Sequence, residues 1–158
     1  PVHLFQVLFS SHHGLFFWHP LLLPGVVFLI KLARKCPHIG VPLIAGLITQ
    51  IWLISAWDVW HAGASFGHRM FVSGLLIFAF GLAQGFQYLF ARFKPSLIWG
   101  GLVFFIVWNM GLLIQYGSGM IPHEAPVSII TLLKNQFIEV PAKLLRIIPR
   151  ILLRKSSS

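Results

Sequence analysis

The sequence predicts an all-α integral membrane protein with about four transmembrane helices and a C-terminal amphipathic helix at the membrane interface. Hydrophobic residues make up 57% of the 158 residues, and charged residues only 9%. A soluble domain carries about 25% charged residues, so a globule of this composition would lack a hydrated surface. Several apolar runs also approach the ~20 residues that a helix needs to cross a bilayer.

Four apolar runs are the predicted transmembrane helices. The first covers residues 15–33 and contains Pro20 and Pro24, which a membrane helix tolerates when neighbouring groups bond the freed carbonyls. The other three cover residues 41–57, 70–91 and 96–116. Tryptophans and a tyrosine lie near the predicted ends, as expected of residues that anchor at the membrane interface. The runs therefore predict a four-helix membrane domain over residues 1–126.

Basic residues give the predicted orientation of these helices. Lys31–Lys35 and Arg92–Lys94 lie in short loops, which the positive-inside rule assigns to the cytoplasmic side. The N-terminal segment, the loop Trp57–Arg69 and the segment after Tyr116 are then expected outside. This arrangement requires an even number of crossings, and four satisfy it.

Residues 127–158 form the predicted basic amphipathic tail. From Pro141 onward, basic side chains recur at spacings of three and four residues and share one face of a helix, namely Lys143, Arg146, Arg150 and Arg154. This pattern is typical of a helix that lies in the membrane interface. Four crossings would place that helix outside, against the charge rule. Either it binds anionic lipid of the outer leaflet, or the number of crossings differs from four.

The net charge of +9 does not indicate a nucleic-acid partner. The basic residues flank apolar runs or lie in the tail. This distribution indicates the orientation of the membrane helices and contact with anionic lipid. The single cysteine, Cys36, excludes an internal disulfide. The chain begins at Pro1 without a signal-peptide n-region, and we expect it to be a piece of a longer protein. The expected partners are membrane lipid and other membrane subunits.

A polar loop between two apolar runs, Trp57–Arg69, is the first candidate site. It holds one of the chain's three acidic residues, two histidines and an arginine. Asp58 would act as a general base or a metal ligand, with His61 and His68 assisting, and the guanidinium of Arg69 would bind a phosphate through its planar fork of donors. The candidate substrate-binding residues in the loop are Trp57, Asp58, Trp60, His61, Ser65 and Arg69. The plainer alternative is that the tryptophans anchor the interface while Arg69 snorkels and pairs with Asp58.

His12 and His13, on the same predicted side, are the remaining candidate binding residues. Adjacent histidines do not face one ion from a helix, and no Cys or Glu close in sequence completes a tetrahedral set, so hydrogen bonding is favoured over metal binding. No metal and no cofactor are predicted. His19 and His68 are candidates for haem or pigment ligation, although a lone membrane histidine is more often a hydrogen-bonded packing residue.

Two segments resemble a known family. The core of the loop reads Gly63, Ala64, Ser65, Phe66, Gly67, His68, Arg69, and an earlier segment beginning at Ser10 reads Ser-Ser-His-His-Gly-Leu-Phe. Both resemble, in this order and spacing, stretches of bacterial multi-spanning glycosyltransferases of the GT-C type. The resemblance extends over most of this chain, but only over the C-terminal part of such a protein.

The resemblance implies transfer of a sugar from a polyprenyl-phosphate donor at the outer face of the bacterial inner (cytoplasmic) membrane. It also implies that Arg69 stabilises the lipid phosphate, while the catalytic carboxylate of the family belongs to a first outer loop that precedes the matched stretch. Whether the chain forms part of an enzyme is therefore open. The alternative, from a different class, is a non-catalytic accessory transmembrane subunit that packs against a larger membrane complex.

Overall fold

The structure, a computed structural model, describes residues 2–61, 63 and 65–146, and the described residues form helices and loops without strands. The helices are α1 (Leu4–Phe9), α2 (Leu15–Trp18), α3 (Leu22–Lys35), α4 (Pro37–Ser55), a 3-10 helix (Arg69–Gly74), α5 (Leu75–Arg92), α6 (Pro95–Gly117) and α7 (Ile129–Lys134). A π-helical turn (Asn135–Glu139) continues α7 into helical residues 140–146. The all-helical fold class is thus confirmed.

Among the described residues, three helical stretches are long and apolar enough to cross a membrane, namely Pro37–Ser55, Arg69–Arg92 and Pro95–Gly117. They correspond to the second, third and fourth predicted spans. Their length and composition indicate a membrane protein.

The first predicted span, 15–33, is divided in the structure. It forms the short α2 and the 14-residue α3, which is about 21 Å long and does not reach across ~30 Å of hydrocarbon. The break falls at His19 (φ −128°, ψ 67°), directly before Pro20. A proline disfavours helical geometry in the residue before it and has no N–H to donate, so the two helices are separate.

Glycines allow close packing between α3 and α5. A Cβ at Gly81 would collide with the backbone of Gly25, and a Cβ at Gly85 would meet the ring of Phe28. Helix α3 also packs against α4, where a Cβ at Gly40 would collide with Ala33. Small residues of this kind let membrane helices gain van der Waals contact that the lipid cannot supply.

The two ends of the bundle differ in character. Helices α3 and α5 finish at basic residues, Lys35 and Arg92, and we call this the basic end. Here the ammonium of Lys31 lies 3.9 Å from the ring centroid of Tyr88, a favourable cation–π distance. The opposite end carries the described residues 56–61, 63, 65–68 and 118–128, and we call it the loop end. The N-terminus lies there too, because the N–H of His3 donates to the carbonyl of Ser55.

The C-terminal helix begins at Ile129, twelve residues before the predicted start at Pro141. Pro141 lies inside it, directly after the π-helical turn and Val140. Because its ring crowds the carbonyl four residues earlier and supplies no N–H, a π-helical turn at this place has a clear cause. Residues 147–158, which include two of the four basic positions of the predicted tail, lie outside the described residues.

Buried amides join this C-terminal helix to α6. The side-chain Nε2 of Gln115 donates to Oε1 of Gln136 at 2.7 Å, and Nε2 of Gln136 donates to the carbonyl of Trp108 at 3.1 Å. Gly111 provides the room, since a Cβ there would collide with the Gln136 amide. The first part of the tail is therefore packed onto the membrane domain.

Candidate functional site

Four described residues with positive φ lie at the loop end, and Gly119 is one of them, with φ of 68°. Gly63 and Gly67 have φ of 68° and 61°, and His13 has φ of 66°. The conformation suits glycine, which lacks the Cβ that crowds this region. At Gly67 there is a second reason for glycine, because a Cβ would collide with the imidazole of His19. The turn at Gly67 thus places the segment 66–69 against His19.

A cavity of about 440 Å³ lies behind this turn, and we call it the polar cavity. Its volume is within the range of small-molecule sites, about 300–1,000 Å³. It lies between the 19–22 segment, the start of the 3-10 helix and the middle of α6. Its polar residues are His19, His68, Arg69 and Asn109; apolar side chains complete its lining, among them Phe66, Phe71 and Phe105.

Asn109 fixes the position of His19. The amide Nδ2 of Asn109 donates to the carbonyl of Trp18 at 3.0 Å and lies 3.1 Å from Nδ1 of His19. Because the amide nitrogen is the donor in both contacts, Nδ1 of His19 accepts and its proton sits on Nε2. His19 therefore has an N–H on the nitrogen that faces Gly67.

His68 is the most deeply buried polar residue of the polar cavity, with 3% of its surface exposed. Neither ring nitrogen meets the geometry of a hydrogen bond within the part of the chain that the structure describes, although the backbone of Trp60 acts on the ring and raises its pKa in part. Burial, together with the nearby His13, lowers the pKa of His68 to about 4. The imidazole is therefore neutral at pH 7 and has one N–H donor and one acceptor nitrogen to offer a ligand. A buried polar group without a partner is costly, so a ligand that bonds it is favoured.

Arg69 begins the helical stretch Arg69–Arg92 and lines the polar cavity while its side chain remains exposed. The structure describes both Arg69 and Asp58, and no ion pair joins them. The plainer alternative of an Arg69–Asp58 pair is thus not what the structure has. The guanidinium is left available to an anion that enters the polar cavity.

Other predicted residues form a separate group of rings, which we call the histidine cluster: His12, His13, Trp60 and His61. The ring of His12 stacks on His61 at 4.7 Å between centroids, and it lies 5.0 Å from the ring of His13. Burial, followed by the charges of His13 and His61, lowers the pKa of His12 and so favours the neutral form of the His12 ring. In the described residues, no three His, Cys, Asp or Glu side chains are arranged to hold a metal ion.

His13 connects the histidine cluster to the loop after α6. Its Nε2 donates to the carbonyl of His123 at 2.9 Å, and Nε2 of His123 donates to the carbonyl of Tyr116 at the same distance. The ring of His123 also stacks on Tyr116 at 4.2 Å between centroids. These contacts hold the 10–14 and 118–128 segments together.

Of the eight residues predicted to bind substrate, Arg69 is the one that lines the polar cavity. Trp57 and Asp58 are exposed elsewhere on the loop, and Ser65 is half-buried beside it. The sequence did not identify Asn109 as a candidate, and it indicated His19 and His68 only as candidate ligands of haem or a pigment. The signal for Asn109 was an uncharged amide inside a long apolar run, which is a costly residue to place there without a use.

No family model, curated protein or solved structure matches this sequence. The arrangement of the polar cavity therefore carries the functional proposal. An arginine, two histidines and an amide converge on a mostly apolar cavity at the start of a membrane-length helix.

Proposed function

We propose that this chain is the C-terminal membrane portion of a GT-C-like glycosyltransferase and that its polar cavity binds the phosphate of a polyprenyl-phosphate sugar donor. One observation carries the proposal: Arg69, without an ion-pair partner among the described residues, lines a cavity whose other members are mostly apolar. A lipid phosphate has the same two-part character, an anionic head on a hydrocarbon chain.

Each polar residue has a distinct part in this proposal. The guanidinium of Arg69 holds two phosphate oxygens, a geometry that a planar fork of donors matches. Neutral His68 donates to a third oxygen or accepts from a sugar hydroxyl, since its ring nitrogens have no other hydrogen-bond partner in the described residues. His19, which Asn109 orients, also lines the polar cavity.

The chemistry assigned to Arg69 is electrostatic. During sugar transfer the bond between the anomeric carbon and the phosphate oxygen breaks, and negative charge collects on the leaving phosphate. A fixed cation at that position stabilises the transition state more than the ground state. No carboxylate lines the polar cavity among the described residues, so we assign this chain donor binding and leaving-group stabilisation rather than base catalysis.

The test is substitution of Arg69. In the full-length enzyme, Arg69→Ala should reduce transfer at least tenfold, about 1.4 kcal/mol of transition-state stabilisation, and Arg69→Lys should restore part of it. Lys143→Ala, which removes a cation from the C-terminal helix, is the matched control and should leave transfer near wild type. Equal losses in the Arg69 and Lys143 variants, or no loss in either, would refute the role of Arg69.

The second candidate function is that of an accessory subunit. It is favoured by the exposed side chains of Trp57, Asp58 and Val59 at the loop end, which lie away from the polar cavity. A partner chain of a larger membrane complex would cover such a surface. Native mass spectrometry of the chain purified from membranes distinguishes the two functions: a stoichiometric companion whose loss follows Trp57→Ala but not Arg69→Ala would favour the subunit.

We also propose the topology that the positive-inside rule predicts, in the membrane that the resemblance implies. The chain would lie in the bacterial inner membrane with its loop end outside, and α2 and α3 together would provide a fourth crossing beside α4 and α5. Lys143 and Arg146, at the end of the described C-terminal helix, would contact anionic lipid headgroups.

A further inference from the structure

His68 and Arg69 bring an uncharged base and a cation to the same cavity. Both line the polar cavity, where the side chain of Arg69 is exposed and that of His68 is buried. The chain's three acidic residues, Asp58, Glu124 and Glu139, are all described, and none of them lines this cavity. An anion that enters therefore meets one permanent cation, and among the described lining residues further positive charge can come only from an imidazole.

His19 is one of the two imidazoles, and Asn109 keeps it neutral. The amide Nδ2 of Asn109 lies 3.1 Å from Nδ1 of His19 and donates to the carbonyl of Trp18 at 3.0 Å. A proton on Nδ1 would face the protons of that amide, and turning the amide over would replace its bond to Trp18 with a contact between two oxygens. A second proton on His19 is therefore disfavoured by a neighbour that is itself held in place.

His68, the other imidazole, has no such neighbour. Neither of its ring nitrogens meets the geometry of a hydrogen bond in the described residues. The backbone of Trp60 acts on the ring and favours its protonated form, and the ring of Phe71 lies edge-on at 4.9 Å between centroids. No donor among the described residues therefore blocks a second proton on His68.

The charges that act on His68 come from four sides. Those of His13, His19 and His61 oppose a second proton on the ring. Arg69, the next residue in the chain, carries a permanent positive charge of the same sign. An anion beside Arg69 acts in the opposite direction, because an opposite charge within about 4–6 Å favours the charged form of a titratable group.

We propose that His68 takes up a proton from solvent when an anion binds in the polar cavity, so that the anion meets a second cation beside Arg69. The inference rests on the proposed function, because it takes Arg69 as the first contact of the anion, but it does not depend on what the anion is attached to. One nitrogen of the neutral ring donates to the anion and the other accepts the proton. The step moves one proton from solvent to the ring and changes no other covalent bond.

Proton uptake makes the affinity for the anion depend on pH. In the free chain, burial and the nearby His13 hold the pKa of His68 at about 4, and a bound anion raises that pKa. Between the two pKa values the complex binds more protons than the free chain does, so the affinity rises as the pH falls, by up to about tenfold per pH unit. Below the pKa of the free chain both forms are protonated, and the dependence ends.

The test measures the protonation of His68 directly, by NMR of the full chain labelled with 13C-histidine in detergent and titrated with acid. The probe is methyl phenyl phosphate, a phosphodiester that stays a monoanion throughout the titration, and the control ligand is its neutral triester, dimethyl phenyl phosphate. His68→Gln or His68→Asn identifies the His68 signal by its loss. The monoanion should raise the midpoint of that signal by about two pH units, and the triester should not raise it.

Equilibrium dialysis of the same probe separates anion binding from proton uptake. Wild type should bind the monoanion about tenfold more tightly at pH 5 than at pH 7, and His68→Gln should bind it equally at both. His38→Gln removes an exposed histidine at the basic end and should retain the wild-type pH dependence. Arg69→Ala should weaken binding at both pH values, and circular dichroism verifies that each variant keeps its helix content.

The outcomes separate the two proposals. If the monoanion binds but the His68 midpoint stays unchanged, or if the triester raises it equally, proton uptake is refuted and the anion site stands. A raised midpoint on His19 instead of His68 would overturn the assignment of the proton. If wild type does not bind the monoanion, or if Arg69→Ala binds it as wild type does, both the anion site and the proton uptake are refuted.

Discussion

Single residues determine the geometry of the polar cavity, and Gly67 is the clearest case. Its backbone has φ of 61°, and its Cα lies against the imidazole of His19. Gly63 has nearly the same φ of 68°, but a Cβ there meets no described atom within 4 Å. A substitution at Gly63 therefore measures the cost of backbone strain alone, and the same substitution at Gly67 measures that cost together with the cost of the contact with His19.

We expect Gly67→Ala to destabilise the chain more than Gly63→Ala. Both substitutions place a Cβ in the left-handed region, which costs about 1–2 kcal/mol. Gly67→Ala also forces His19 away from Asn109, for a further cost of about 1–3 kcal/mol. Thermal unfolding in detergent measures the difference. Equal shifts in melting temperature for the two variants would show that the contact with His19 contributes nothing.

His68 makes stability depend on pH. Its pKa is about 4 in the folded chain and 6.5 ordinarily, so between these values the unfolded chain binds more protons. This contribution is fully present above pH 6.5 and is lost as the pH falls toward 4, by at most about 3 kcal/mol. His68→Gln should flatten the fall in melting temperature between pH 7 and pH 4, whereas substitution of the exposed His38 should not. A slope unchanged in His68→Gln would contradict the burial argument.

The residues of the site were only partly predictable. The sequence predicts Arg69 as a phosphate-binding residue, and the structure places it at the polar cavity; its binding of an anion stays a prediction. His19 and Asn109 lie ninety positions apart in sequence, and their contact depends on how α6 packs against the 19–22 segment. No local sequence pattern encodes such a contact, so the contact could not be predicted from the sequence.

At the scale of elements, hydrophobic length predicts the membrane helices well and their interruptions less well. The apolar runs of about twenty residues form α4, α5 and α6 in the structure. The run 15–33 contains enough apolar residues for a span, but Pro20 divides it because local backbone geometry overrides hydropathy there. Pro141 likewise is typical of a helix start, yet it follows a π-helical turn inside a helix that begins at Ile129.

The packing of α3 on α5 gives a prediction at this scale. Gly81→Ala places a methyl group against the backbone of Gly25, which cannot rotate away as a side chain would. We expect a loss of about 1–3 kcal/mol in the free energy of unfolding, from overpacking. Gly46→Ala is the control, because its Cβ meets the Ile77 side chain at an ordinary 3.7 Å. Urea or thermal unfolding in detergent measures the stability of both variants. A Gly81 variant as stable as the Gly46 variant would contradict the argument that α3 and α5 need this close contact.

At the scale of the whole molecule, the amino-acid composition predicts the class of protein, a membrane protein, but it does not predict how the helices pack. A chain with 9% charged residues is predicted to contain membrane helices whatever their order. The position of α3 beside both α4 and α5 depends on glycine contacts between residues far apart in sequence, such as Gly25 and Gly81. The polar cavity also depends on how separate elements pack, since residues of the 19–22 segment, the 3-10 helix and α6 line it.

The amide pair between Gln115 and Gln136 has a consequence for biosynthesis. Gln115 belongs to α6, but its partner lies 21 residues later in the chain. At about 5–20 residues per second, the ribosome needs roughly one to four seconds to make that interval. During this time α6 carries an amide without its protein partner, and the insertion machinery or interfacial water must accommodate it. The pairing of Gln115 therefore waits until Gln136 has left the ribosome.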